Sequence, residues 1–164
     1  MLKLAELNTM SADEFTCVCG PVFEHSPWVA ARSAAQRPFR SREELHASLC
    51  RTVRSASDEE KLALIRAHPD LVGRAVLTSA SQSEQTSAGL GDLTTDEVAQ
   101  FGNYNTQYRE RFGFPFVICA RLNKKEAILS AFPERLKGSR EKEIETALAE
   151  IYKIADLRLR DLVR

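Results

Sequence analysis

The sequence predicts an all-α fold, and three observations support that prediction. At five places a serine or threonine precedes a glutamate by three residues, a pattern in which each side chain bonds the other's backbone N–H group at a helix start. Apolar residues late in the chain recur at spacings of three and four, which places them on one helical face. No segment alternates apolar and polar residues for long enough to predict a strand.

The helix starts divide the chain into short segments. The five capping pairs are Ser11 with Glu14, Ser41 with Glu44, Ser57 with Glu60, Ser81 with Glu84, and Thr94 with Glu97. Ser26-Pro27 adds a sixth start, with proline at the first helical position. The helix that begins after Ser57 must stop at His68, because Pro69 disfavours helical geometry in the residue before it. Residues 69–81 are the longest predicted loop.

The second half of the chain carries the clearest helical periods. One face is formed by Val98, Phe101, Tyr104, Tyr108 and Phe112. Gly113 follows directly and is suited to end that helix. Residues 123–136 predict another helix, bent near Pro133, and a last apolar stripe runs from Ile144 through Leu148 and Ile151 to Leu162. Residues 114–120 are apolar but few, which indicates a buried extended connector or the start of a helix.

Length, charge and cysteine spacing limit the classes of protein. The chain has 164 residues, enough for one hydrophobic core, and we expect a single domain over residues 1–164. The formal net charge of +0 creates no field that would gather nucleic acid or an anionic membrane. The N-terminus lacks the apolar core of a signal peptide, so a reduced, cytoplasmic protein is expected. Cys17, Cys19, Cys50 and Cys119 are predicted to be free, small, buried apolar side chains rather than metal ligands.

Three polar residues are candidates for chemistry, and each also has a structural interpretation. His68 at a helix end feels the negative pole of the helix dipole, which suits a proton donor, but it can also be a surface histidine that caps the helix. Arg158 falls in the apolar sector of the last helix, where it can pair with a glutamate or aspartate, extend to water, or bind a substrate carboxylate. Glu84 can line a pocket at a helix start or only close the capping pair with Ser81.

Five segments in order carry a resemblance to a known family. They are Phe23-Glu24-His25-Ser26-Pro27-Trp28, His68-Pro69-Asp70-Leu71, Ser81-x-x-Glu84-Gln85-x-x-Ala88-Gly89-Leu90, Phe112-Gly113-Phe114-Pro115-Phe116-Val117-Ile118, and Lys153-Ile154-Ala155-x-x-Arg158-Leu159. Together they closely resemble the OHCU decarboxylase family, where OHCU is 2-oxo-4-hydroxy-4-carboxy-5-ureidoimidazoline, an intermediate of urate breakdown. The resemblance covers nearly the whole chain, although the stretch between His68 and Glu84 looks shorter than in many relatives.

The resemblance implies an all-helical homodimer that converts OHCU to (S)-allantoin without a cofactor or metal. It implies catalytic roles for His68, as proton donor, and for Glu84. It places the substrate carboxylate on Arg158 and implies further substrate contacts at Pro69, Ser81, Gln82, Ser83, Gln85, Phe116, Val117, Ile118, Cys119 and Ala120. Asp156 stands where relatives commonly have a basic residue. By helical angle it points away from the apolar sector that contains Arg158, so little effect on carboxylate binding is expected.

Two alternatives from other classes stay open at this stage. The first third of the chain is rich in arginine, so a non-enzymatic helical interaction module is the main alternative. The second is a zinc hydrolase that uses Cys17, Cys19 and His25, although their spacing differs from that of common zinc sites.

Overall fold

The computed structural model describes residues 1–73 and 76–164. Over those residues the chain forms nine α-helices and three short 3-10 turns, the turns being Gly20–Val22, Ala34–Gln36 and Ala120–Leu122. The described residues contain one isolated β-bridge, between Leu2 and Val163, and no strand. The prediction of an all-α fold is therefore confirmed.

The described residues fall into two compact units, residues 1–67 with 152–164 and residues 68–151. The first unit contains α1 (Leu4–Thr9), α2 (Ala12–Cys19), α3 (Trp28–Ser33), α4 (Arg42–Arg54) and α5 (Asp58–Arg66). The second contains α6 (Ser79–Ser87), α7 (Thr95–Phe112) and α8 (Lys125–Leu136). Helix α9 (Arg140–Leu162) gives its first part to the second unit and its end to the first. One domain over residues 1–164 stays a prediction.

Most helix-start signals of the first unit are confirmed, but Pro27 is the N-cap of α3 and not its first residue as predicted. Complete capping boxes begin α2 at Ser11 and α5 at Ser57. At Ser41 the serine caps the Glu44 N–H group, but the Glu44 carboxylate accepts its bond from the N–H group of Arg40. Helix α5 has its C-cap at Ala67, so the helix ends before His68, as predicted. Fully buried apolar side chains form the core: Leu7, Phe15, Val29, Leu45, Leu49, Val53, Leu64 and Ile65.

The second unit is built around aromatic side chains of α7, α8 and the connector between them. Helix α7 begins with the complete box of Thr94 and Glu97 and ends at Gly113, whose φ is 79°. Of the predicted α7 face, Phe101, Tyr108 and Phe112 are buried and Tyr104 is partly exposed, whereas Val98 is 46% exposed. Residues 114–119 form the predicted buried connector rather than a helix. The rings of Phe116 and Phe132 stack with centroids 3.8 Å apart.

Three details of the predicted helices are wrong. Helix α6 has Thr78 as its N-cap, so the predicted box of Ser81 and Glu84 does not start it; Ser81 is instead buried in the first turn. Helix α8 starts at Lys125, two residues later than predicted, and Pro133 lies inside it. On α9 the predicted stripe is confirmed at Ile151, which is buried. In the first turns the buried side is offset by about one residue, because Glu143 and Ala147 are buried while Ile144 and Leu148 are partly exposed.

Substitution of two glycines, one at the end of α7 and one within it, tests whether Gly113 is needed to end the helix. Gly113→Ala should lower the free energy of unfolding by about 1–2 kcal/mol, because its left-handed backbone disfavours a Cβ atom. Gly102→Ala in the same helix should raise it by about 0.5–1 kcal/mol, because its Cβ meets open space. Urea denaturation of both variants measures the difference. Equal effects of the two substitutions would contradict this account of the helix end.

Candidate functional site

The loop after His68 is held by side chains of two helices. His68 is 6% exposed and follows the C-cap of α5 directly, so it is a buried histidine and not a surface cap. The Leu71 carbonyl accepts a hydrogen bond from Nδ2 of the buried Asn105 at 2.8 Å. Asp70 accepts bonds from Nε of Arg109 at 2.9 and 3.1 Å. Both donors are on α7: Asn105 holds the backbone three residues beyond His68, and Arg109 holds the side chain two residues beyond it.

Helix α6 supplies the third support of that loop. Oε1 of Gln85 accepts the Val72 N–H at 3.1 Å, and its Nε2 donates to the Asp70 carbonyl at 3.5 Å. Val72 has φ of 58°, a value that costs a β-branched residue energy and persists only where neighbours enforce it. Gln85, implied by the resemblance as a substrate contact, therefore also orders the loop that follows the candidate proton donor.

The remaining candidates of α6 lie on two sides of the helix. Ser81 is buried and Glu84 is partly exposed, and they share a helical face with Gln85. Gln82 and Ser83 are exposed on the other side. Because the helix starts at Thr78, Glu84 lies in its middle, so the interpretation of Glu84 as a helix-start residue is wrong.

The segment from Phe116 to Ala120 is anchored by charged side chains. Its Val117 carbonyl accepts a hydrogen bond from Nη1 of Arg135, and the Cys119 N–H donates to the Glu150 carboxylate at 2.8 Å. Ile118 is the only residue of this segment that is not buried. The segment thus presents extended backbone at a partly exposed position, a geometry that suits hydrogen bonding to a ligand oxygen.

Arg158 lies in the first unit and is 8% exposed, which confirms that it points inward on α9. Its Nη2 is 2.9 Å from a carboxylate oxygen of Glu24, which is itself 2% exposed. Its Nη1 donates to the carbonyl of Pro21 at 3.3 Å and that of Val22 at 3.5 Å. Of the interpretations drawn from the sequence, the ion pair is present.

The cysteines are free thiols, and their surroundings differ. Cys17 is exposed, contrary to the prediction of a buried side chain, whereas Cys19 is buried. Burial raises the pKa of the Cys19 thiol to about 12, which disfavours the thiolate that a metal requires. Residues 1–73 and 76–164 contain no group of three His, Cys, Asp or Glu side chains suited to a metal ion. The ligand set of the zinc-hydrolase alternative is not found there.

Within the described part of the chain, no helix combines the length and the apolar character that crossing a bilayer requires.

Sequence reasoning missed the residues that support the candidates. Asn105, Glu143 and Arg135 are mostly buried polar side chains on helices. Each contacts a residue distant in the chain: Leu71, Tyr108 and Val117, respectively. One signal was available: Asn105 lies four residues after Phe101 and three before Tyr108, so a polar side chain interrupts an apolar face. Glu24 stood in one of the family segments but had no partner assigned to it.

Comparison with known proteins identifies the family. The model of the OHCU decarboxylase family matches residues 8–160. A 2-oxo-4-hydroxy-4-carboxy-5-ureidoimidazoline decarboxylase of Haloferax volcanii is 44% identical over 158 residues, which cover 96% of this chain and 94% of the relative. A bifunctional uric acid degradation protein of Bacillus subtilis is 41% identical over 99% of this chain, which spans 33% of that protein.

Solved structures agree with the sequence comparison. A crystal structure of (S)-allantoin synthase superposes with a TM-score of 0.82 at 28% identity over all of this chain, which covers 54% of that one. A crystal structure of OHCU decarboxylase in the presence of (S)-allantoin has a TM-score of 0.71 at 25% identity, over 92% of this chain and 96% of the other. With a family match over most of its length and relatives similar from end to end, the chain belongs to the OHCU decarboxylase family.

Proposed function

We propose that this protein decarboxylates OHCU to (S)-allantoin in urate degradation, with His68 as the proton donor. The observation that carries the proposal is the 44% identity to a relative with this activity in its name, over 94% of that relative. The family match over residues 8–160 supports the same reaction. The buried position of His68 between α5 and a held loop supports its role.

The chemistry requires little beyond orientation. In OHCU the carboxylate and a hydroxyl lie on ring carbon 4. The neighbouring carbon 5 carries the ureido group and is doubly bonded to a ring nitrogen, so it can accept an electron pair. When the bond to the carboxylate carbon breaks, carbon dioxide leaves and the electron pair moves into the ring, so the substrate is its own electron sink. A proton then adds to carbon 5, which carries the ureido group, while the hydroxyl on carbon 4 loses its proton and becomes a carbonyl. The face of carbon 5 on which the proton adds sets the handedness of allantoin. The enzyme must hold the carboxylate, stabilise the charge that develops on the ring and deliver the proton to one face.

The side chains of the chain divide these tasks. Arg158 binds the substrate carboxylate, for which a planar guanidinium is well shaped. Glu24 neutralises and orients the Arg158 guanidinium. Backbone N–H groups of residues 116–120 bind the ring oxygen. His68 donates the proton, and Glu84 orients the imidazole or the ureido group. Pro69, Ser81, Gln82, Ser83 and Gln85 complete the substrate contacts. No cofactor takes part in this scheme.

A non-enzymatic interaction module is the alternative class, and a circular-dichroism time course with freshly generated OHCU distinguishes the two. Optically active allantoin should form faster with the protein than in buffer. A trace identical to that of buffer would favour the module.

Substitution of His68 tests the proton donor. His68→Asn should lower kcat by roughly 10²–10⁴-fold, the usual contribution of general acid catalysis, while the far-ultraviolet circular dichroism stays that of the wild type. The matched control is His25→Asn: His25 is exposed and has φ of 45°, a conformation that asparagine tolerates, so its kcat should change by less than about twofold. A folded His68→Asn enzyme with normal turnover would remove His68 from the mechanism.

Arg158→Lys separates substrate binding from the ion pair. Lysine keeps the positive charge beside Glu24 but loses the planar pair of nitrogens, so KM for OHCU should rise by about 10- to 100-fold, the equivalent of one charged hydrogen bond. The control is Arg160→Lys on the same helix, an exposed arginine paired with Asp156 at 2.8 Å, which should leave KM unchanged. A lower melting temperature with an unaltered KM would restrict Arg158 to its structural pair with Glu24.

The assembly and compartment are part of the proposal. We expect a homodimer, as the family resemblance implies, and light scattering on a sizing column should give twice the 18.4 kDa mass of the chain. A mass of one chain at micromolar concentration would contradict the dimer. Four free thiols are typical of proteins in a reducing compartment and support a cytoplasmic location.

A further inference from the structure

The Arg135 side chain contacts four residues of the second unit, and the proposed mechanism has not used these contacts. Its Nε donates to Glu143 at 2.8 Å, its Nη2 to the Tyr108 hydroxyl at 3.3 Å, and its Nη1 to the Val117 carbonyl. Its guanidinium carbon also lies 4.2 Å from the centre of the Phe116 ring. Two of these four contacts are with residues of the 116–120 segment.

The remaining contacts fix the guanidinium itself. Glu143 is 3% exposed and accepts bonds from both Arg135 and the Tyr108 hydroxyl, the latter at 2.7 Å. Burial raises the pKa of Tyr108, so its hydroxyl keeps its proton and stays a donor to Glu143. The Glu143 carboxylate, the Tyr108 hydroxyl and the Phe116 ring all contact the guanidinium. It therefore has one orientation in which every one of these contacts is made.

The orientation of Arg135 sets the orientation of one peptide unit. The peptide bond between Val117 and Ile118 is trans, so its carbonyl and its N–H group point in opposite directions. When Arg135 holds the Val117 carbonyl, the Ile118 N–H is directed away from Arg135. Ile118 is the partly exposed residue of the segment, and the next N–H along the chain, that of Cys119, already donates to Glu150.

We propose that Arg135 is a positioning residue, which orients the Ile118 N–H toward the ring oxygen of the substrate by holding the Val117 carbonyl. This inference rests on the proposed function. It adds that the direction of the Ile118 N–H group depends on the Arg135 side chain. Arg135 does not itself contact the substrate. A donor aimed at developing charge contributes only when its direction is fixed before the reaction begins.

The test compares two arginines of the second unit with similar contacts. Arg135→Lys keeps a charge for Glu143, but one ammonium group cannot also hold the Val117 carbonyl and stack on Phe116. Arg140 likewise donates through Nε to a backbone carbonyl, that of Phe112 at 3.1 Å, and lies 5.7 Å from the Phe114 ring. Because the hydrogen bond and the ring contact of Arg140 are both with residues before the 116–120 segment, Arg140→Lys is the matched control.

Steady-state kinetics with OHCU should separate the two variants. For Arg135→Lys, kcat and kcat/KM should fall together by about 10- to 100-fold, because the lost alignment acts in the transition state. For Arg140→Lys, kcat should change by less than about twofold. Calorimetric titration with (S)-allantoin gives the fraction of competent sites, and the stoichiometry of Arg135→Lys should equal that of the wild type. A merely structural role would lower that stoichiometry in step with kcat.

A second variant covers the case in which Arg135→Lys does not fold, and other results would contradict the inference or the proposed function. If Arg135→Lys does not fold, Arg135→Gln combined with Glu143→Gln removes both charges of the pair and should show the same loss of kcat at full stoichiometry. A kcat within about twofold of the wild type in whichever variant folds, or an equal loss in Arg140→Lys, would overturn the role of Arg135. A wild-type protein that does not accelerate OHCU decarboxylation would overturn the proposed function and this inference with it.

Discussion

A buried guanidinium must be neutralised and its N–H groups must find acceptors, and this constraint organises both units. Arg158 meets Glu24 and two carbonyls of the turn at Pro21–Val22, and Arg135 meets Glu143 and the carbonyl of Val117. In each case the acceptor carbonyls belong to backbone that is not α-helical. Such backbone lacks the internal bonds of a helix, so side-chain donors must satisfy it. The two arginines therefore hold the irregular segments of a helical protein in place.

The loop after His68 follows the same rule with different donors and acceptors. Asn105 satisfies the Leu71 carbonyl, and Gln85 bonds the backbone at both Asp70 and Val72. Because α6 and α7 both contribute, the loop is tied at successive residues, which explains how Val72 keeps a left-handed backbone. Pro69 restricts the chain on the near side of this loop, so the position of His68 is determined from the helix before it and from the loop after it.

Local chemistry explains what could be predicted from the sequence. The boxes at Ser11, Ser57 and Thr94 and the stop before Pro69 depend on residues within four positions, and all are confirmed. The box at Ser81 is wrong because Thr78, three residues earlier, offers the same capping hydroxyl, and a local pattern cannot rank two competing caps. Arg158 was placed inside from helical angle alone. Its partner Glu24 could not be inferred from periodicity, because the two are 134 positions apart. The burial of Glu143 depends in the same way on Tyr108, 35 residues earlier.

The proposed chemistry gives a physical reason for these costly networks. A substrate that is its own electron sink leaves the enzyme the tasks of orienting groups and stabilising charge, and misplacement by about 1 Å can cost about 10²-fold in rate. An apolar core of equal volume would often be as stable as a buried ion pair, so stability alone does not account for Arg135 and Glu143. Direction does account for them: an apolar side chain at position 135 could bury Phe116 equally well, but it could not hold the Val117 carbonyl. The polar contacts of the second unit are thus better explained by the alignment of backbone donors than by the stability of the fold.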